Sequence, residues 1–203
     1  MDSNNLPGSK LLRVDLQRSL KPSHINLKDL TPFQRILLTT DGMVTEILEA
    51  YLWERIKVTK IFQEYFILER SIPSLEIERG CRILKRKICL SGRLSHKNHI
   101  YAETIIVPDR LDERIRDGLL NSNKPIGQLI LEDRLETFRE ILDYGKEQAR
   151  DLAVYFNIKK NDFLIFRTYR VFTNSLPIML ITEKFQKNVG RDRNTTHTSL
   201  GNL

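Results

Sequence analysis

Two charged residues stand in rows of apolar side chains, and their types name the chemistry they could do. Strand alternation around residue 86 places Leu84, Arg86, Ile88 and Leu90 on one face, with Ile83, Lys85, Lys87 and Cys89 on the other. In the last apolar run, Met179, Ile181, Glu183 and Phe185 share a face opposite Ile178, Leu180, Thr182 and Lys184. A charge desolvated in this way costs several kcal/mol unless it is paired. Arg86 and Glu183 are therefore expected to meet each other, to meet a charged ligand, or to reach water at a strand end. In a pocket, the guanidinium fork suits a carboxylate and a desolvated Glu suits proton exchange near neutral pH. Such a pocket takes a small carboxylic acid.

The elements that must carry these residues follow from periodicity. Residues 1–27 are polar, with Pro7, Gly8 and Pro22, and are expected to be a flexible arm. Thr31, Pro32 and Gln34 make a capping-box start for a short helix ending near Thr40. Asp41-Gly42 breaks it, Asp41 is placed to cap the next segment, and Met43, Val44, Ile47, Leu48 and Tyr51 recur at helical spacing. From Arg55 to Leu68 the period is two, with Ile56, Val58 and Lys60 on one face and Ile61, Gln63 and Tyr65 on the other. Cys81–Gly92 and His99–Pro108 read as a hairpin, Asp109–Leu120 as a helix, and 128–145 fits either period. Glu147–Tyr155 reads as helix, and Phe163–Phe172 with Leu176–Phe185 as a closing hairpin. Residues 188–203 are polar and aperiodic and are expected to be disordered. No internal repeat is visible. The expected fold is a single α+β domain over residues 28–187, an antiparallel sheet of about six strands with helices covering one face.

Composition narrows the function classes. The chain has 203 residues, 40% of them hydrophobic, and its 33 Lys plus Arg against 26 Asp plus Glu give a net charge of +7. That is enough to bury a core, and no stretch reaches the ~20 apolar residues of a membrane span. The first twenty-five residues carry Asp2 and Asp15 and no apolar h-region, so a secretory signal is not expected. Cys81 and Cys89 lie on one strand and cannot close on each other, so reduced thiols and a cytoplasmic setting are expected. Four scattered histidines and no Cys-x-x-Cys offer no metal site. The basic cluster at Arg79, Arg82, Lys85, Arg86 and Lys87 is interleaved with apolar residues over two faces, so nucleic acid is not the expected partner.

Beyond these readings, an ordered series of short segments resembles the chorismate pyruvate-lyase (4-hydroxybenzoate synthase) family, in its diverged cyanobacterial, archaeal and algal-plastid branch. The series is Asp41-Gly42-Met43-Val44-Thr45, Val58-Thr59-Lys60-Ile61, Arg86-Lys87-Ile88-Cys89-Leu90, Thr104-Ile105-Ile106-Val107-Pro108, Lys124-Pro125-Ile126-Gly127 and Leu176 through Glu183. The resemblance implies a chorismate lyase-like fold and removal of the enolpyruvyl side chain of chorismate, giving 4-hydroxybenzoate and pyruvate without metal or cofactor. It implies that Arg86 grips the ligand carboxylate, that Glu183 contacts the ring's oxygen end, and that Met43 and Ile126 close the pocket. Here Ile126 stands where Leu is more usual, the hairpin turn is longer, and the segment near 147–162 is inserted relative to shorter bacterial enzymes.

The same fold, by resemblance, serves the UTRA sensor domains of bacterial repressors, which bind a small molecule without converting it, and Gln148 to Glu183 looks much like their C-terminal half. Those repressors carry a DNA-binding domain ahead of the sensor, whereas about fifty-five residues precede the first strand here. The favoured expectation is a monomeric lyase acting on chorismate or a related acid in a cytoplasm or plastid stroma, with no membrane and no nucleic-acid partner.

Overall fold

The computed structural model describes residue 25 and residues 27–121 and 124–186. Most of the expected arm and all of the expected tail lie outside those residues, although Ile25 packs against the main core and Leu27–Asp29 form a 3-10 turn.

The chain enters through two helices, α1 (Pro32–Thr39) and α2 (Val44–Leu52). The capping box is made: Gln34 N donates to Thr31 Oγ1 at 3.2 Å and Thr31 N to Gln34 Oε1 at 2.9 Å. Asp41 does not cap α2. The N-cap position is Met43, which makes no side-chain cap bond, and Thr40 Oγ1 instead accepts from Gly42 N.

The expected sheet is present, and it has six strands: β1 (Ile56–Ile67), β2 (Arg82–Gly92), β3 (Asn98–Ile106), β4 (Phe138–Gln148), β5 (Phe163–Thr173) and β6 (Leu176–Gln186). Every neighbouring pair is antiparallel, and the order is β1-β2-β3-β6-β5-β4. Two three-stranded meanders thus meet along β3 and β6. The turn between β5 and β6 has Asn174 and Ser175 at φ 48° and 63°, the left-handed pair that a two-residue hairpin demands.

The ambiguous segment splits into helix α4 (Ile126–Glu132) and strand β4, with helix α3 (Glu113–Asn121) before it. The expected helix from Glu147 starts later, because Glu147 and Gln148 pair with Leu164 and Phe163 as the end of β4. Its helical part is a 3-10 turn, Arg150–Leu152, running into α5 (Ala153–Phe156).

β1 corrects the strict alternation read from the sequence. A bulge between Lys60 and Phe62 inserts Ile61, so Gln63 and Tyr65 return to the face carrying Ile56 and Val58. A matching bulge in β4, between Ile141 and Asp143, keeps both Ile141 and Tyr144 on the core face.

Helices α1 to α4 cover that face: Leu37, Leu38, Leu48, Ile115, Leu119 and Leu129 are buried against Leu84, Ile88, Ile106, Ile165, Met179 and Phe185. The other face carries two small cores at its ends. Cys89, Tyr101 and Leu164 pack with Ala153 and Phe156 of α5, and Ile83 and Val107 pack with Leu75 and Ile77. Its middle stays polar, with Thr168 and Thr182 hydrogen-bonded at 2.9 Å and Lys184 Nζ 2.7 Å from Glu147 Oε1. No helix among the described residues is long and apolar enough to cross a membrane.

Candidate active site

The floor of the site is two adjacent rungs of the sheet. One runs Gln63, Arg86, Thr104, Ile181, Tyr169 and Ile141; the next runs Ile88, Ala102, Glu183, Arg167 and Tyr144. Above it stand Met43 at the start of α2 and Pro125, Ile126 and Gly127 at the start of α4. The segment Lys124-Pro125-Ile126-Gly127 thus leads into a helix start. A Cβ on Gly127 would stand 3.0 Å from Met43 Sδ, so the two closing segments lie close together and a side chain here would make the Met43 side chain shift. Between floor and roof is a cavity of about 70 Å³, widening to about 630 Å³ when its open mouth is counted. Met43, Ile126 and Glu183 line it, as do Thr104, Ala102, Tyr169 and Arg139.

Glu183 does not meet Arg86. Arg167 Nε donates to its Oε2 at 2.7 Å and Tyr169 OH to its Oε1 at 3.0 Å, so both carboxylate oxygens are engaged. Arg167 is also bonded to Thr40 O at 2.7 Å, which ties this group to the α1–α2 connection. Burial pulls the Arg167 guanidinium down, but the Glu183 charge and Tyr169 outweigh it and the net shift is upward. Burial first, then the Glu183 charge, pushes the Tyr169 hydroxyl up, so it stays a donor.

Arg86 is as deeply buried as Arg167, at 1% exposure each, and stands in contrast to it. Its guanidinium makes one long bond, Nη2 to Lys124 O at 3.3 Å, while Nε and Nη1 are buried without a partner. Gln63, its neighbour on β1, has an unpartnered Oε1. Desolvation lowers the Arg86 pKa, with no carboxylate near to offset it. Arg86 does not itself line the cavity; it lies behind Thr104, its partner on β3, and beneath the Lys124–Pro125 segment. An arginine buried with free donors is rare, because each unmade bond costs about 1–3 kcal/mol. Here those donors lie next to a pocket.

Arg167, Tyr169 and Arg139 escaped the sequence reading. Ile165, Arg167, Tyr169 and Val171 form an apolar row broken by one charge, the same pattern that drew attention to Arg86, so Arg167 was open to discovery by that test. Arg139 was not, because it opens the strand whose bulge disguises its period. Among the described residues, no three His, Cys, Asp or Glu side chains gather as metal ligands would.

With this geometry in hand, the chain can be set beside known proteins. Residues 38–192 match the family described as "Chorismate pyruvate-lyase Rv2949c-like". The chorismate pyruvate-lyase of Mycobacterium leprae is 31% identical over 170 residues, 78% of this chain and 76% of that protein. The chorismate pyruvate-lyase of Mycobacterium tuberculosis is 31% identical over 168 residues, covering 78% and 81%. Among solved structures, the effector domain of PhnF from Mycobacterium smegmatis superposes with a TM-score of 0.56 at 13% identity, covering 71% of this chain and 88% of that one. The C-terminal domain of the histidine utilization repressor from Pseudomonas syringae gives 0.53 at 11%, covering 69% and 97%. At such identities these two speak for the fold, which regulators share, and the sequence matches speak for the family. The chain belongs to the chorismate pyruvate-lyase family and is an enzyme of the lyase class.

Proposed function

We propose that the protein converts chorismate to 4-hydroxybenzoate and pyruvate, with the pocket over Ala102 as its active site. The observation that carries this reading is the pair of unpartnered, buried guanidinium donors of Arg86 beside that pocket. They suit a ring carboxylate, which the planar fork would hold through Nη2 together with Nε or Nη1. Glu183 lies on the neighbouring rung two strands away, roughly 12 Å from Arg86 between backbones by sheet geometry. Between them stand Thr104 and Ala102, two small side chains that leave a ring its room. A ring anchored at Arg86 by its carboxylate turns its 4-hydroxyl end to Glu183.

In the reaction the C3–O bond to the enolpyruvyl group breaks, a proton leaves C4, and the released enolpyruvate takes up a proton to become pyruvate. Aromatisation supplies the driving force, so the protein's work is to hold one reactive conformer and exclude water. Glu183, with its oxygens fixed by Arg167 and Tyr169, orients the hydroxyl end and assists the proton's departure. A cavity of about 70 Å³ is smaller than a cavity of roughly 150 Å³ that admits benzene, so the segments carrying Met43 and Gly127 move apart on binding. Both cysteines are free, in keeping with a reducing setting.

The test is to incubate the purified protein with chorismate, without added metal, and follow aromatic product and pyruvate by chromatography. Glu183→Ala is a poor control, since it also strips Arg167 of its counter-ion; Glu183→Gln keeps an acceptor for Arg167. We expect stoichiometric 4-hydroxybenzoate and pyruvate from the parent and about 100-fold slower turnover from Glu183→Gln. Intact chorismate together with saturable binding of 4-hydroxybenzoate would make the protein a sensor of the repressor-domain type.

A further inference from the structure

We propose that Arg139 forms a second carboxylate subsite, on the side of the pocket opposite Arg86, and is the residue that holds the carboxylate on the substrate's side arm. The inference rests on the proposed reaction for the identity of the ligand, and on charge and geometry for the subsite.

The charges around the cavity do not cancel. Glu183 is matched by Arg167 at 2.7 Å, which leaves Arg86 and Arg139. Arg139 is the one Lys or Arg among the described residues lining the cavity. It has no acidic side chain within ion-pair distance; Nη1 donates to Asp41 O, in the α1–α2 connection whose Gly42 and Met43 also line the pocket. That bond leaves guanidinium donors for a ligand. One unpaired cation buried behind the cavity wall, Arg86, and one half-buried on its lining, Arg139, suit a ligand with an anionic group at each end.

The placement agrees. Arg86 lies on β2 and Arg139 on β4, four strand spacings apart, or roughly 19 Å between backbones. Both side chains stand on the core face, with Glu183 on β6 between them. A ring carboxylate at Arg86 and a hydroxyl at Glu183 leave Arg139 for a carboxylate carried on a side arm of the ring, which in chorismate is the enolpyruvyl carboxylate that departs.

Two stable probes separate the subsites by calorimetry: 4-hydroxybenzoate, with one carboxylate, and 3-(carboxymethoxy)-4-hydroxybenzoate, which adds a second on an ether arm. The parent should bind the dicarboxylate about tenfold or more tighter. Arg139→Gln should erase that preference and raise the KM for chorismate by a similar factor, while 4-hydroxybenzoate affinity, which also reports a folded pocket, moves less than about twofold. Unchanged dicarboxylate binding in Arg139→Gln, or equal loss for both probes, overturns the subsite. If the parent leaves chorismate intact yet keeps the preference, the lyase reading falls and the subsite stands. If Arg139→Gln turns over chorismate like the parent, the subsite falls and the lyase reading stands.

Discussion

The two halves of the sheet are built alike and differ at one position that decides what each can do. Each is a three-stranded meander with a bulge in its edge strand, and the β3–β6 register relates them by a twofold axis through the Glu103–Thr182 pair. Under that axis Gln63, Arg86 and Thr104 correspond to Tyr144, Arg167 and Glu183. Each half thus buries one arginine on the middle strand of its meander. In the second half the next strand supplies a carboxylate and the arginine is satisfied; in the first it supplies a threonine and the arginine is left with open donors. One half holds its own anion and the other is built to receive one. The pocket straddles the axis, lined by Ile88 with its counterpart Tyr169, Leu90 with Val171, Ala102 with Ile181 and Thr104 with Glu183.

If this contrast is right, the same substitution has opposite effects in the two halves. Arg167→Met strands a buried Glu183 and should cost about 3–5 kcal/mol, read as a lower denaturant midpoint at unchanged slope. Arg86→Met removes a cation that has no counter-ion and fills its volume with apolar atoms. It should fold as well as the parent, or be more stable by about 1–3 kcal/mol, while losing ligand binding. Equal destabilisation of both variants would end the distinction between a structural and a receptive arginine.

A gentler change converts one half into the other. Thr104→Glu places a carboxylate beside Arg86 where Glu183 stands beside Arg167. The variant should keep parental stability within about 1 kcal/mol and should bind 4-hydroxybenzoate about 100-fold more weakly, because Arg86 then has an internal anion to displace. Parental affinity in Thr104→Glu would show that Arg86 is not where the ligand carboxylate binds.

How much of this could be read beforehand depended on whether each strand kept its period. β2, β5 and β6 alternate without interruption across the site, so Arg86 and Glu183 were visible as charges in apolar rows. The bulges broke the reading in β1 and β4. One put Gln63 beside Arg86 rather than behind it, and the other spaced Ile141 and Tyr144 by three, which mimics a helix. The partner of Glu183 was hidden for a different reason. Alternation assigns a face, but only register, a tertiary property, says that Arg167 stands opposite Glu183 while Arg86 stands opposite Thr104. The repeat was invisible because it lies in the topology, and its equivalent positions carry unlike residues.

The smallest expected effect separates the site from the end of the β2–β3 hairpin. Glu54 accepts from Leu94 N and Ser95 N at 3.0 Å each and from Ser95 Oγ at 2.7 Å, and these bonds, Ser95 first, hold its pKa below the ordinary value of 4.5. Burial lowers His99 from 6.5 more than the nearby Glu54 raises it. The signs agree. A histidine held neutral by the fold withdraws stability once the unfolded chain begins to take up its proton, from about pH 6.5 downward. A carboxylate with a depressed pKa withdraws it from about 4.5 downward, through its folded value. Asp143, raised by burial, acts in the opposite sense at the acid end. The denaturant midpoint should therefore fall as pH drops from 7 toward 5.5, and His99→Gln should flatten that limb while 4-hydroxybenzoate affinity at pH 7 stays parental. A limb that persists in His99→Gln but vanishes in Arg167→Met would place the pH sensitivity in the second half of the sheet rather than at the hairpin.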